Sequence, residues 1–309
     1  MPACRFIFDP GYDFNRTLPF LRKVHGFVLN KPSRIRKHLI AAGVAVKKDF
    51  ERPTAATDDD LKAVHSPSVI RGLSEARAIA AAAELAPLGL LPSFVARRLV
   101  VLPQLRACGG TQLALRYAAT GDWVFNLSGG FHHARPDLSH GFCLVNDVSW
   151  AVHCLAQSPR VLVLDLDLHQ GDGNAAAFAG RDDVFTASLH QSDAFPFPKL
   201  QSDLDVALPG HGTDDDTYLA AVDEMLAAID ARFQPEVVVY VAGTDPFAGD
   251  ALGGFDVTRD GLRERDARVA QFCRRHNAGL VALPAGGYSS AAPALSAAGF
   301  AAMAALASG

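Results

Sequence analysis

Five apolar runs constrain this chain more than anything else in it: Trp123–Leu127, Val161–Leu164, Val184–Leu189, Val237–Ala242 and Leu280–Leu283. They are short, nearly continuous and rich in β-branched residues, as strands buried on both faces require. Helical windows at Val148–Ala156, Thr217–Ile229 and Arg259–Arg275 separate the later runs. Such alternation predicts an α/β fold, a central parallel sheet with helices on both faces. Residues 4–8 add a first strand before Pro10-Gly11. Further helices are expected over Pro32–Ala42, over Ser74–Ala86 up to Pro87, and over 291–309. A TDDD sequence at Thr57–Asp60 recurs at Thr213–Asp216, and each offers cap and first-turn carboxylates. No Pro/Ser-rich linker interrupts the pattern, so 1–309 reads as a single domain.

Composition narrows the class. The chain has 309 residues, 49% hydrophobic and 20% charged, enough apolar surface for a sizeable core. A net charge of −4 without a basic stripe argues against a nucleic-acid binder. The five cysteines (Cys4, Cys108, Cys143, Cys154, Cys273) form no CxxC pair, which favours free thiols in a reducing compartment, the cytoplasm. The start of the chain, with Arg5, Asp9 and Asp13, lacks the apolar run of a signal peptide. The C-terminal stretch is too weakly apolar for a membrane span.

In an open parallel sheet, ligands bind beyond the carboxyl ends of the strands. After Leu127 comes SGGFHHA, with His132 and His133; after Leu164 come Asp165, Asp167, His169 and Asp172. His190 follows Leu189, GTDPFAGD with Asp245 and Asp250 follows Ala242, and PAGGYSS with Tyr288 follows Leu283. Singly, each has an ordinary explanation: Asp-Pro starts turns, and paired histidines occur on exposed loops. Together they collect at one rim.

The spacing in VLVLDLDLHQGDGN puts Asp165, Asp167 and His169 on one face of an extended chain. Two carboxylates and an imidazole at a buried strand end are costly unless a divalent cation binds them. Asp167, His169 and Asp245 can supply three ligands and leave a position open for water. His132 or His133 can serve as general base and acid. Asp165 and Asp172 can each hold an imidazole in orientation, and Tyr288 can donate to a developing oxyanion. Gly171 and Gly173 let the chain turn and pass close by. There is no GxxxxGK[ST] and no strand–GxGxxG–helix unit, so phosphate binding is set aside.

The blocks GGFHHARPDLSHGFCLVNDV, VLVLDLDLHQGDG, AGTDPFAGDALG and PAGGYS resemble the zinc-dependent histone deacetylase family, in the family's order. The likeness runs over nearly the whole chain. LHQGDG and the two-glycine GGY loop after Ala285 look closest to the class IV branch and its bacterial relatives. The resemblance implies the arginase/deacetylase fold and one Zn2+ held by Asp167, His169 and Asp245. It makes His133 the general base and acid, paired with Asp172, and His132 an electrostatic partner, paired with Asp165. It makes Tyr288 the carbonyl-polarising hydroxyl, Phe142 a wall of the acyl-lysine tunnel and the Gly141 carbonyl a substrate acceptor. Leu252 would be the gatekeeper over the tunnel mouth, and Ser188 with Asp165 would help hold a structural K+. The implied activity is removal of acetyl or longer acyl groups from lysine side chains of a peptide or protein. His140 is expected to be a solvent-exposed loop residue.

Rival readings meet specific residues. Binuclear arginase-type enzymes need an Asp two positions after the ligand His and another two after the later Asp; here these are Gly171 and Phe247. An acetylpolyamine amidohydrolase would use the same machinery on a small acylated amine, and in that branch a glutamate stands where Leu252 does. A non-catalytic acyl-binding module would not need His132, His133 and Tyr288 together. The oligomeric state is left open by the sequence.

Overall fold

The computed structural model describes residues 2–14 and 30–308. His25, for which the sequence suggests no role, lies outside the described residues. One sheet of eight strands forms the centre: β1 (Cys4–Ile7), β2 (Phe50–Glu51), β3 (Trp123–Asn126), β4 (Val161–Asp165), β5 (Val184–Gln191), β6 (Leu204–Leu208), β7 (Val237–Val241) and β8 (Gly279–Leu283). Their order across the sheet is β2-β1-β3-β8-β7-β4-β5-β6, and every pairing is parallel.

Successive side chains of a strand point to opposite faces, and the core divides accordingly. Leu162, Leu164, Tyr240 and Ala282 pack with the helices Lys31–Ala41, Asp215–Asp230, Arg259–His276 and Ala292–Ser308. Val161, Val163, Val239 and Val281 pack on the other face with Leu102–Ala118, Asp147–His153 and Asp172–Phe178. A third cluster joins the short helices between Ala56 and Leu105, with Leu61, Ile79 and Val101 at its centre. Both faces of the sheet are covered, so the strands read as continuous apolar runs rather than as alternating ones.

β7 and β8 come last in sequence yet insert between β3 and β4. The carboxyl ends of β3, β8, β7 and β4 are therefore neighbours. Loops separated by more than a hundred residues meet there, and that meeting positions the site.

The expected elements shift in informative ways. The Ser74–Ala86 helix shortens to Ala76–Ala82, because Glu84 takes a φ of 53° and the chain re-enters as a 3-10 turn at Ala86–Leu90. The helix Leu102–Ala118 has no counterpart in the sequence reading, since Gly109-Gly110 at its middle lowers helix propensity by about 1 kcal/mol each. Packing explains the pair: a Cβ at Gly109 would overlap the Thr54 carbonyl and one at Gly110 the Tyr12 hydroxyl. The two TDDD sequences cap in different registers. Thr57 is the N-cap of Asp58–Leu61, whereas Asp214 caps Asp215–Asp230. No helix among the described residues is long and apolar enough to cross a membrane.

Candidate metal centre and active site

β4 stops at Asp165, whose register partners are Ser188 of β5 and Val241 of β7. The extended geometry expected through His169 therefore ends earlier. Asp167 and His169 sit in the turn that follows, and Asp245 sits in the turn after β7. Asp167, His169 and Asp245 are all buried, and their donor atoms lie within 4.8 Å of one another. His169 Nδ1 is 3.2 Å from Asp167 Oδ1 and 3.1 Å from Asp245 Oδ2. Backbone N–H groups aim the carboxylates: Gly286 donates to Asp167 Oδ2 at 2.8 Å and Leu168 to Asp245 Oδ1 at 3.1 Å.

The electrostatics of this cluster favour positive charge at its centre. Burial alone would depress the His169 imidazole, but Asp167 and Asp245 outweigh it and raise the group to about 10. Burial and the charge of Asp167 push the Asp245 carboxyl up to about 6. Two buried carboxylates and an inward imidazole nitrogen match a tetrahedral zinc-type ion with one position open. At Gly171, one of the positions a second metal would need, there is no carboxylate, and a Cβ would displace Asp165 Oδ2 from its place beside His132.

The loop after β3 brings in the paired histidines, both buried. His132 Nδ1 is 2.8 Å from Asp165 Oδ2 and its Nε2 is 3.8 Å from Asp167 Oδ1. His133 Nδ1 is 2.7 Å from Asp172 Oδ1, and the two rings are 4.0 Å apart. Burial works against the charge on His132, yet Asp165 and Asp167 prevail and lift it to about 9. For His133, burial and the neighbouring His132 win over Asp172 and hold it down at about 3. One imidazole is set up to carry charge and its neighbour to stay neutral.

Asp172 has further partners that the sequence did not reveal. Arg135 Nε donates to its Oδ2 at 2.6 Å, and His140 Nε2 approaches the same oxygen to 2.9 Å. The expectation of a solvent-exposed His140 is thus corrected. Its ring turns inward because the buried Asp172 carboxylate draws it, and it meets Phe195 edge-on at 5.3 Å. His190 bonds instead to its strand neighbour Ser188, with Nδ1 and Oγ 3.0 Å apart.

Across the cluster, the Tyr288 ring lies 6.4 Å from His169 and 5.9 Å from Phe142. Burial, then the charges of Asp245 and Asp167, push its phenol well above the ordinary range, so it stays a donor. Asp250 Oδ2 accepts the N–H groups of Tyr288 and Ser289 at 2.7 and 2.9 Å and so fixes this loop. Gly141 and Phe142 both take positive φ, 55° and 65°. A Cβ at Gly141 would come within 2.6 Å of His133 and 2.8 Å of Phe195, so only glycine lets this turn approach the histidine.

An outer cavity of about 380 Å3 opens over the cluster, lined by Glu84, Phe142, Phe195, Leu252 and Tyr288 among others. An inner cavity of about 90 Å3 runs past His132, His133 and Tyr288 to Lys31. Lys31 is buried and donates to the carbonyls of Pro284, Ala285 and Gly286 at 2.9, 3.0 and 2.6 Å. Sequence reasoning missed Glu84, Phe195 and Lys31. Only the aromatic–proline repeat at Phe195–Pro198 could have drawn attention to one of them.

A parallel sheet whose strand ends gather an Asp₂His cluster, two carboxylate-backed histidines and a tyrosine has the equipment of a metal-dependent amide hydrolase. Comparison with known proteins narrows the class. Residues 25–304 match the family model of the histone deacetylase domain. Histone deacetylase 2 of Arabidopsis thaliana is 33% identical over 287 residues, 91% of this chain and 74% of that protein. An uncharacterized protein of Picosynechococcus is 33% identical over 86% of this chain and 87% of its own length. An HDAC homolog solved in complex with SAHA covers 99% of this chain and 84% of its own, with a TM-score of 0.77 and 25% identity. An HDAC homolog from Aquifex aeolicus superposes with a TM-score of 0.76, 25% identity and the same two coverages, 99% and 84%. The chain belongs to the histone deacetylase family, with the arginase/deacetylase fold. It is a deacetylase-type hydrolase.

Proposed function

We propose that this enzyme hydrolyses the side-chain amide of acyl-lysine in a peptide or protein, with one Zn2+ on Asp167, His169 and Asp245. The observation that carries this is the pairing of His133 with Asp172 beside the Asp₂His cluster and opposite Tyr288. Bound there, zinc would supply a Lewis acid and a water acidic enough to attack near neutral pH. His133 engages Asp172 through Nδ1, which leaves Nε2 to take the proton of the attacking water and return it to the departing amine. His132, backed by Asp165, supplies positive charge beside the reacting carbonyl. The Tyr288 hydroxyl donates to the carbonyl oxygen as its charge grows. Phe142 and Phe195 flank the lysine stem, the Gly141 carbonyl accepts from the substrate, and the inner cavity receives the acyl group.

Leu252 supports a peptidyl substrate: it is 48% exposed at the mouth, where an apolar side chain suits an aliphatic stem better than a second ammonium. Glu84, lining the same mouth, adds negative charge there and favours the runner-up, a small acetylated polyamine with a free ammonium. Hydrolysis of acyl-lysine peptides, graded from acetyl to long-chain acyl, beside N-acetylspermidine and N-acetylputrescine distinguishes the two. Higher kcat/KM on a peptide is expected. A strong polyamine preference promotes the runner-up, and binding without turnover of either would make the protein an acyl-binding module.

The same reading includes kinship with the class IV branch and a cytoplasmic location, in keeping with five free cysteines. It also includes a structural K+ near Asp165 and Ser188, which stand side by side as oxygen donors on β4 and β5.

A further inference from the structure

Behind the metal cluster, in the core between β4, β7 and the helix Arg259–His276, lies a charged group with no role in the chemistry above. Arg265 is 1% exposed, and its guanidinium reaches two main-chain carbonyls with one nitrogen: Gly243 O at 2.7 Å and Leu166 O at 3.3 Å. Its other nitrogens face Asp266 Oδ1 at 3.0 and 2.9 Å, and Tyr240 donates to that same oxygen at 2.6 Å. The Tyr218 hydroxyl stands 3.4 Å from Leu166 O. Asp266, Tyr240 and Tyr218 are themselves buried.

A buried ion pair is a poor way to gain stability, because desolvation cancels much of the attraction and an apolar pair of similar volume often does better. What the guanidinium offers here is geometry. Its planar fork fixes the directions of its donors, so the carbonyls it holds keep a set separation. Leu166 precedes Asp167 by one residue, and Gly243 precedes Asp245 by two. The two turns are already joined on the near side, where Leu166 N–H donates to Val241 O at 3.1 Å and Leu168 N–H to Asp245 Oδ1 at 3.1 Å. Arg265 closes the far side.

We propose that Arg265 is a positioning residue for the metal site, bridging the turns after β4 and β7 and thereby setting the separation of Asp167 and Asp245. Asp266 and Tyr240 hold the guanidinium in place. Outer partners of metal ligands typically change affinity by about 10–100-fold when removed. The lysine of Arg265→Lys keeps the charge but is shorter and lacks the Nε and second terminal nitrogen that anchor the guanidinium on Asp266, so its ammonium is not held against both carbonyls.

The inference rests on the metal reading, and the test separates the two. Zn2+ affinity is measured by competition with a chromophoric chelator, on the full chain and with thermal melts alongside. Wild-type protein should bind one equivalent; failure to bind any overturns the metal reading and this proposal with it. Folded Arg265→Lys should bind Zn2+ about 10-fold more weakly or worse, and unchanged affinity overturns the clamp while leaving the metal reading intact. If Arg265→Lys does not fold, Tyr240→Phe takes its place, with a several-fold loss expected and wild-type affinity overturning the clamp. Phe272→Leu, a buried change on the same helix, should lower the melting temperature without moving Zn2+ affinity. An equal loss of affinity there would reduce Arg265 to an ordinary core residue and overturn the proposal.

Discussion

Tyr288 and Leu252 line one cavity and are expected to govern different kinetic constants. On the proposed reading the Tyr288 hydroxyl donates to an oxygen whose charge develops only in the transition state, so Tyr288→Phe should lower kcat more than it raises KM. The expected loss is about 10²–10³ in kcat, the usual worth of one such donor. Steady-state kinetics on a metal-loaded variant check it, and near-full activity would remove Tyr288 from the oxyanion role. Leu252, at the cavity mouth, would on the same reading meet the parts of a substrate that do not react. Leu252→Glu adds a carboxylate at the cavity mouth, which should attract a free ammonium at short range. The ratio of kcat/KM for N-acetylspermidine to that for an acetyl-lysine peptide should rise in this variant and fall back at high salt.

At the scale of elements, the loops around the site are held by groups that must stay neutral. His65, next to the helix Asp58–Leu61, bonds through Nδ1 to Arg135 O at 3.1 Å and accepts the Asn146 N–H on Nε2 at 2.9 Å. It thus ties the segment before Pro67 to the two ends of the loop carrying Gly141 and Phe142. Burial pushes its pKa from 6.5 down to about 4, against a weaker opposing pull from backbone carbonyls. The unfolded chain therefore takes up a proton that the folded chain refuses. The stabilisation is complete above pH 6.5 and is lost as pH falls toward 4, a span worth on the order of 3 kcal/mol. Urea denaturation of wild type and His65→Gln should differ most above pH 6.5, with the curves converging toward pH 4. A constant difference across that window would show that His65 does not titrate with folding.

For the whole molecule, the sheet and the cluster are separable. The strands bury continuous apolar runs between two helical layers, and the Asp₂His group sits at their carboxyl ends without contributing to that core. Asp245→Ala removes one of two buried like charges, so the fold should survive while the metal is lost. Elemental analysis is expected to give one transition metal per wild-type chain and none in the variant, with similar far-ultraviolet circular dichroism for both. Two tightly held metals in wild type would contradict the single-ion reading, in which Gly171 and Phe247 offer no carboxylate to a second metal.

Six of the eight strands described were legible in the residues, because apolar runs bounded by Gly, Asp and His are local signals that survive without a fold; β2, two residues long, and β6, whose half-buried residues alternate with exposed ones, were not. The runs at Val161–Leu164 and Val237–Ala242 lie within a residue of the observed β4 and β7. The spacing of Asp167 and His169, and Asp245 after its own run, were legible for the same reason. The helix Leu102–Ala118 was not, since its glycines answer to Thr54 and Tyr12, residues remote in the chain. Tertiary structure alone decided that His140 turns in to Asp172, that Glu84 and Phe195 share a mouth with Leu252, and that Arg265 lies under the turns after β4 and β7. Each of these depends on the crossover that lodges β7 and β8 between β3 and β4. Burial makes such contacts obligatory: a charged group taken out of water must find its partner wherever the fold has placed one.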